Sequence, residues 1–221
     1  MRRMIRECFE ICIRHLDLPD PIHEFGAFQV PGQEAIAELR PLFPGRAYLG
    51  SDMRSGRGVD LQLNLHNLGL ADQSIGSAIL LDTLEHVEYP HRALNEVYRV
   101  LRPGGVVIMA SVMNFPIHGF PDDYWRFTPS AFASLVKPFE WSLVESAGDP
   151  EFPHTVVAVA RKGAAPATAA ALSQDLHTWK QRWYYIDHQP SQLELAIKRW
   201  APPILLDAYR LLRRNSQSRE L

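Results

Sequence analysis

Cysteine is nearly missing from the 221-residue chain, which has only Cys8 and Cys12. They lie four apart in one helical segment, with no second cysteine pair or histidine-rich cluster to complete a four-ligand zinc site. They fit two half-buried thiols in a reducing compartment better than a disulfide framework. Long apolar runs are missing too: no window reaches the roughly 18 residues of a membrane span. The opening Met1–Glu7 interrupts its apolar residues with charge and has no small-residue cleavage site, so no secretory signal is expected and cytoplasmic residence is the default. Nor is there a surplus of either charge, since 23 Lys and Arg stand against 25 Asp and Glu, a formal net charge of −2. That balance disfavours a chain-wide polyanion-binding surface, and nucleic acid is not expected as a partner. The sequence also contains no P-loop, no hydrolase order of Ser, His and Asp, and no histidine–carboxylate spacing of a metal site.

What is present is patterning. In residues 1–19, Met4, Ile5, Cys8, Phe9, Cys12, Ile13 and Leu16 recur at helical spacing between charges, which predicts an amphipathic helix packed on a larger body. Residues 20–162 alternate β-rich runs with helical ones, at Ile22–Phe25, Ala47–Gly50, Leu61–Leu65, Ser77–Leu81, Val106–Ser111, Trp141–Ser146 and Thr155–Ala160. Helices are expected near Gly32–Arg40, His91–Leu101 and Pro129–Val136. This predicts a doubly wound α/β sheet of seven strands. Crossover connections make the strands up to Ser111 parallel, whereas the short link Ala147–His154 makes the last two an antiparallel hairpin. From Gly163 the composition breaks into an alanine-rich linker and a basic helical tail. Residues 163–221 carry eight basic and five acidic side chains, leaving residues 1–162 with a net charge of −5. Apolar positions from Leu193 to Leu212, interrupted at Pro202–Pro203, suggest a helical cap, a homodimer contact or a peripheral membrane contact through the tail.

In open α/β sheets ligands bind beyond the carboxyl ends of the strands, so the residues just after each strand carry the functional signal. Here they are Glu24-Phe25-Gly26-Ala27-Phe28, then Ser51-Asp52-Met53, Asn64-Leu65-His66 and Asp82-Thr83-Leu84-Glu85-His86. The stretch Asn114–Pro129 is dense in polar and aromatic residues. Its Asp123, Tyr124, Trp125 and Arg126 offer aromatic walls and a fixed cation for a small ligand. Thr128 is placed to cap a helix opened by Pro129.

The segments Leu84-Glu85-His86-Val87 and Arg99-Val100-Leu101-Arg102-Pro103-Gly104-Gly105, at this separation, resemble those of class I S-adenosylmethionine-dependent methyltransferases. The resemblance is to the small-molecule group and spans about residues 20–162. It implies a Rossmann-like sheet and S-adenosylmethionine as cofactor. Glu24 and Gly26 match the acid and first glycine of that family's cofactor loop, and Asp52 the acid that accepts both ribose hydroxyls, with Met53 beside it. Asn64 stands where an aspartate usually receives the adenine amino group, with Leu65 against the ring, while Asp82 and Leu84 match the cofactor's other side. The resemblance turns Tyr124, Trp125 and Arg126 toward the acceptor, and His86 and His118 are the candidate bases. The implied activity is methylation of a small or carbohydrate-linked acceptor at oxygen or nitrogen. One departure stands out: Gly26-Ala27-Phe28-Gln29-Val30 replaces the family's Gly-x-Gly-x-Gly. It also counts against a nicotinamide oxidoreductase, which needs Gly-x-Gly-x-x-Gly at this turn. The alternative function is a catalytically silent relative that works as a binding or assembly protein.

Overall fold

A computed structural model describes residues 2–119 and 121–188 of the chain. Seven strands form one sheet: β1 (Ile22–Phe25), β2 (Tyr48–Asp52), β3 (Leu61–Gln62), β4 (Ile75–Leu81), β5 (Leu101–Val112), β6 (Trp141–Gly148) and β7 (Pro153–Arg161). Their order across the sheet is β3-β2-β1-β4-β5-β7-β6. The first five are mutually parallel, and β7 runs antiparallel to both β5 and β6. The seven-stranded doubly wound sheet with a terminal antiparallel hairpin is thus as the periodicity predicts. The helices are α1 (Arg3–His15), α2 (Glu34–Ala37), α3 (Pro90–Val100), α4 (Pro129–Leu135) and α5 (Ala169–His188).

Side-chain alternation along the strands separates two cores. Ile79 and Leu81 of β4, Ile108 of β5 and Val157 of β7 meet Met4, Phe9 and Cys12 of α1 and Leu172 and Trp179 of α5. The intervening Ala78, Leu80, Val107, Met109 and Val156 meet Leu94 and Val97 of α3 and Phe132 and Leu135 of α4. Polar contacts lock α5 to α1. Trp179 donates its indole N–H to the Met4 carbonyl at 3.0 Å, and Trp183 donates to Glu7 at 2.8 Å. His15 meets Asp175 at 2.8 Å. The first part of the basic tail therefore covers one face of the sheet, while the expected helices over 193–212 fall outside the described residues. Both cysteines are buried and free. Among the described residues no helix is long and apolar enough to cross a membrane.

Three local expectations change. The helix expected over Gly32–Arg40 shortens to α2, with a 3₁₀ turn at Arg40–Leu42. Gly32 at φ +87° precedes it, and Glu38 in extended geometry ends it. The strand expected to reach Leu65 stops at Gln62. Asn64 starts a side-chain turn there, its Oδ1 accepting the His66 N–H at 2.9 Å and its carbonyl the Asn67 N–H at 2.9 Å. The β2–β3 and β3–β4 connections carry no helix, yet the parallel pairing holds. The Arg-Val-Leu-Arg motif supports this long loop. Arg99 grips Glu96 through two 2.8 Å bonds and holds Asp72 and the Leu70 carbonyl, and Glu96 accepts the Leu68 N–H.

Candidate functional site

A cavity of about 490 Å³ opens at the carboxyl ends of β1, β2 and β4, where the sheet order reverses between β1 and β4. Glu24, Gly26, Asp52, Met53, Asn64, Leu65, Asp82, His86 and His118 all line it. Leu84 lies behind the wall, wholly buried in the core with α3. Tyr124, Trp125 and Arg126 are outside the lining. Trp125 donates its indole N–H to the Val87 and Glu88 carbonyls, and Tyr124 donates its hydroxyl to Asp122. Arg126 forks onto Asp123 at 2.6 and 2.7 Å and donates to the Phe115 and Pro116 carbonyls, so it clips the β5–α4 loop together. That fork holds the Asp123 carboxyl at about 2. Thr128 accepts the Ala131 N–H and caps α4.

The β1 turn is built on Gly26 at φ +82°, where a Cβ would lie 2.3 Å from the Thr83 hydroxyl oxygen. Thr83 is buried and donates to the Phe25 carbonyl, which ties the turn to the end of β4. At the place of the missing second glycine, Phe28 lines the cavity. The Phe28 ring packs over Gly56 in the β2–β3 loop, where a Cβ would lie 2.5 Å from the ring, and the Arg54 guanidinium sits 4.2 Å above the ring's centre.

Asp52 ends β2 with both carboxylate oxygens engaged by Arg54, whose Nε and terminal nitrogen lie at 3.0 and 3.3 Å and whose backbone N–H lies at 2.9 Å. Beneath it, Glu24 accepts the Tyr48 hydroxyl. Burial outweighs that bond and pushes the Glu24 carboxyl up to about 7. On the opposite wall Asp82, in the left-handed region at φ +48°, pairs with Arg2 at 3.1 Å ahead of α1.

Next to Asp82, Glu85 is fully buried. Its Oε2 accepts the Ser111 hydroxyl at 2.6 Å, while Oε1 has no partner among the described residues. Burial, with the Asp82 charge adding to it, pushes this carboxyl up to about 8. The His86 and His118 rings meet edge to face with centroids 4.9 Å apart. Nδ1 of His86 donates to the Asp122 carbonyl at 2.6 Å, and Nδ1 of His118 lies 3.1 Å from both the Pro116 carbonyl and Asp123. A carbonyl only accepts, so each ring carries its proton on Nδ1 and its lone pair on Nε2. Burial chiefly lowers the His86 pKa below its ordinary value.

An acid at the tip of β2, a glycine turn at the tip of β1 and the cavity at the reversal of strand order together decide the architecture. The chain has the fold of the class I methyltransferases. A family model described as a methyltransferase domain matches residues 48–109, β2 to the middle of β5, and starts beyond the Phe28 turn. No curated protein sequence matches significantly. Among solved structures, a possible histamine N-methyltransferase from Thermotoga maritima is 20% identical, with 72% of this chain aligned to 89% of that one at a TM-score of 0.53. A 1,6-didemethyltoxoflavin-N1-methyltransferase from Burkholderia thailandensis, solved with its substrate and S-adenosylhomocysteine, is 16% identical over 73% and 79% of the two chains, at 0.56. A methyltransferase from Archaeoglobus fulgidus is 10% identical over 73% and 95%, at 0.57. Within this methyltransferase fold, Arg2, Arg54 and Glu85 are site residues that the sequence pattern did not single out. Glu85 had a signal, an acid within an apolar strand-to-helix segment; Arg2 and Arg54 had none, because their role depends on which carboxylate the fold brings to them.

Proposed function

We propose that the protein is an S-adenosylmethionine-dependent methyltransferase acting on a small or carbohydrate-linked acceptor at oxygen or nitrogen. The observation that carries this reading is the single cavity shared by Asp52, the Gly26 turn and Asp82, with a volume in the range of small-molecule sites. The residues present fit the cofactor. Asp52 offers a carboxylate with lone pairs for a ribose diol, Asn64 and Leu65 flank the space beyond it, and the absence of a Cβ at Gly26 lets backbone approach the methionine part. Bound there, the cofactor supplies a sulfonium methyl group for direct displacement.

The chain's own residues then position and deprotonate. Arg54 must release Asp52 for the carboxylate to take two hydroxyls. The pair is half-buried, with side-chain accessibilities of 32% and 10%, so its separation costs about 1 kcal/mol or more, which ligand hydroxyls bound to Asp52 would offset. His86 and His118, which line the cavity and carry their protons on Nδ1, can take the acceptor's proton on Nε2. Alignment of acceptor and donor supplies the rest.

The test is calorimetric titration with S-adenosylmethionine and S-adenosylhomocysteine, repeated on Asp52→Ala. Micromolar binding that the variant loses supports the reading. Absence of binding by folded protein favours the silent binding-protein alternative, for which Arg54 seated on both oxygens of Asp52 is the specific observation.

A further inference from the structure

We propose that Glu85, His86 and His118 form a binding site for a first-row divalent cation of the zinc, manganese or ferrous class. One ligand atom from each lies within 4.8 Å of the others. The three come from different parts of the chain, the first two from the turn after β4 and the third from the β5–α4 loop, so no local spacing advertises the set.

Three independent features support the assignment. Glu85 is fully buried, and its Oε1 has no partner among the described residues. A buried carboxyl oxygen without a partner is costly, and a cation that displaces the carboxyl's proton to solvent is a partner that removes the cost. Both imidazoles are held in the tautomer that presents Nε2, because each Nδ1 faces a carbonyl. Behind His118 stands Asp123, at 3.1 Å from its Nδ1 and itself fixed by Arg126. A carboxylate behind a ligating histidine is the usual outer support of a metal site. Ser111 similarly fixes the other oxygen of Glu85.

Two imidazoles and one carboxylate suit borderline dications better than magnesium or calcium, which favour oxygen. Ligands around such an ion sit about 2.0–2.2 Å from it and roughly 3.4 Å from one another. Occupancy therefore draws the three groups together by up to about 1.4 Å, with the β5–α4 loop carrying His118 the part that moves. Three protein ligands leave positions open to the cavity. With the ion bound, His86 and His118 serve as ligands in place of bases, and the ion's use would be to lower the pKa of an acceptor hydroxyl brought to the open positions, its proton passing to solvent. That role rests on the methyl-transfer reading, but the binding itself does not.

The experiment uses the full chain, stripped with chelator, and titrates it with Zn²⁺ and Mn²⁺ by calorimetry. The Co²⁺-loaded protein is examined by visible absorption for d–d bands of a nitrogen- and oxygen-ligated ion. One ion per chain is expected, with affinity reduced more than about 100-fold in His118→Ala and in Glu85→Gln, above the range for loss of an outer partner, and about 10- to 100-fold in Asp123→Asn. His118→Ala changes only a loop residue, so it stays informative if Glu85→Gln fails to fold. No binding at one equivalent, or binding unchanged in His118→Ala, overturns the proposal. S-adenosylhomocysteine binding by the metal-free protein is measured separately, so failure of the metal site is distinguishable from failure of the cofactor site.

Discussion

Replacing Gly26 with alanine tests the tie between the β1 turn and the end of β4. At φ +82° an alanine pays roughly 1–2 kcal/mol for left-handed geometry. Its Cβ would stand 2.3 Å from the Thr83 hydroxyl and 2.7 Å from the Thr83 methyl, so the threonine must turn away. Its hydroxyl, now on the Phe25 and Leu81 carbonyls at 3.1 and 3.2 Å, would be left buried without a partner, at a further cost of about 1–3 kcal/mol. The total is about 2–5 kcal/mol. Thr83→Ala alone loses one ordinary hydrogen bond and a methyl group, about 1–2 kcal/mol. With both changes the two shortest contacts disappear, leaving the Cβ of residue 83 at 3.0 Å, and mainly the backbone strain and lost bond remain, so the two effects should fall short of additivity by roughly 1–3 kcal/mol. Urea unfolding of the four proteins at matched m-values measures this. Effects additive within about 0.5 kcal/mol would show that the two residues do not press on one another and would refute the account of the turn.

Three further outcomes are expected. Arg54→Ala frees Asp52 from its guanidinium and should tighten S-adenosylhomocysteine binding by about fivefold or more, the value of a half-buried pair; weaker binding by calorimetry would mean that Arg54 contacts the ligand. Burial raises the Glu24 carboxyl to about 7, so the folded chain keeps a proton that the unfolded chain releases, and stability falls as pH rises from about 4.5 to 7; burial lowers His23 to about 4, so stability is lost as pH falls from 6.5 to 4. The slopes oppose each other, with Glu85, raised to about 8, adding to the first; Glu24→Gln should make the slope more positive by up to about 1.4 kcal/mol per pH unit between 4.5 and 6.5 in urea titrations, where an unchanged profile would refute the assignment. Trp179→Phe leaves the Met4 carbonyl without its indole partner and a gap where the second ring packed, so at least about 1 kcal/mol, or a Tm lower by roughly 2–4 °C or more, is expected by calorimetric scan, and no change would mean that neither bond nor ring adds stability.

The sheet was legible because its information is local. Apolar alternation marks β4 and β7, the short link between β6 and β7 forces their hairpin, and Pro129 behind Thr128 marks the start of α4. The end of β3 was not legible, because a side-chain bond from Asn64 competes with the ladder and sequence periodicity does not record that competition. At the site, the strand-end rule located Asp52 and Asp82, whose positions follow from topology. It was silent on Arg54 and Arg2, long side chains whose direction is set by packing, and on Gly56 of the facing loop, against which the Phe28 ring packs. Tyr124, Trp125 and Arg126 read as a ligand wall because aromatic and charged residues look alike in sequence whether they face a cavity or bind their own loop.

The bond from Trp179 to Met4 joins residues 175 positions apart, with a timing consequence for biosynthesis. At about 5–20 residues per second, roughly 10–35 s pass between synthesis of the two. During that time Met4, Phe9 and the β4 and β5 side chains beneath them lack the cover of α5. The nascent chain therefore shows one apolar sheet face to its surroundings until α5 is made, and a chaperone that holds this protein would be expected to release it only then.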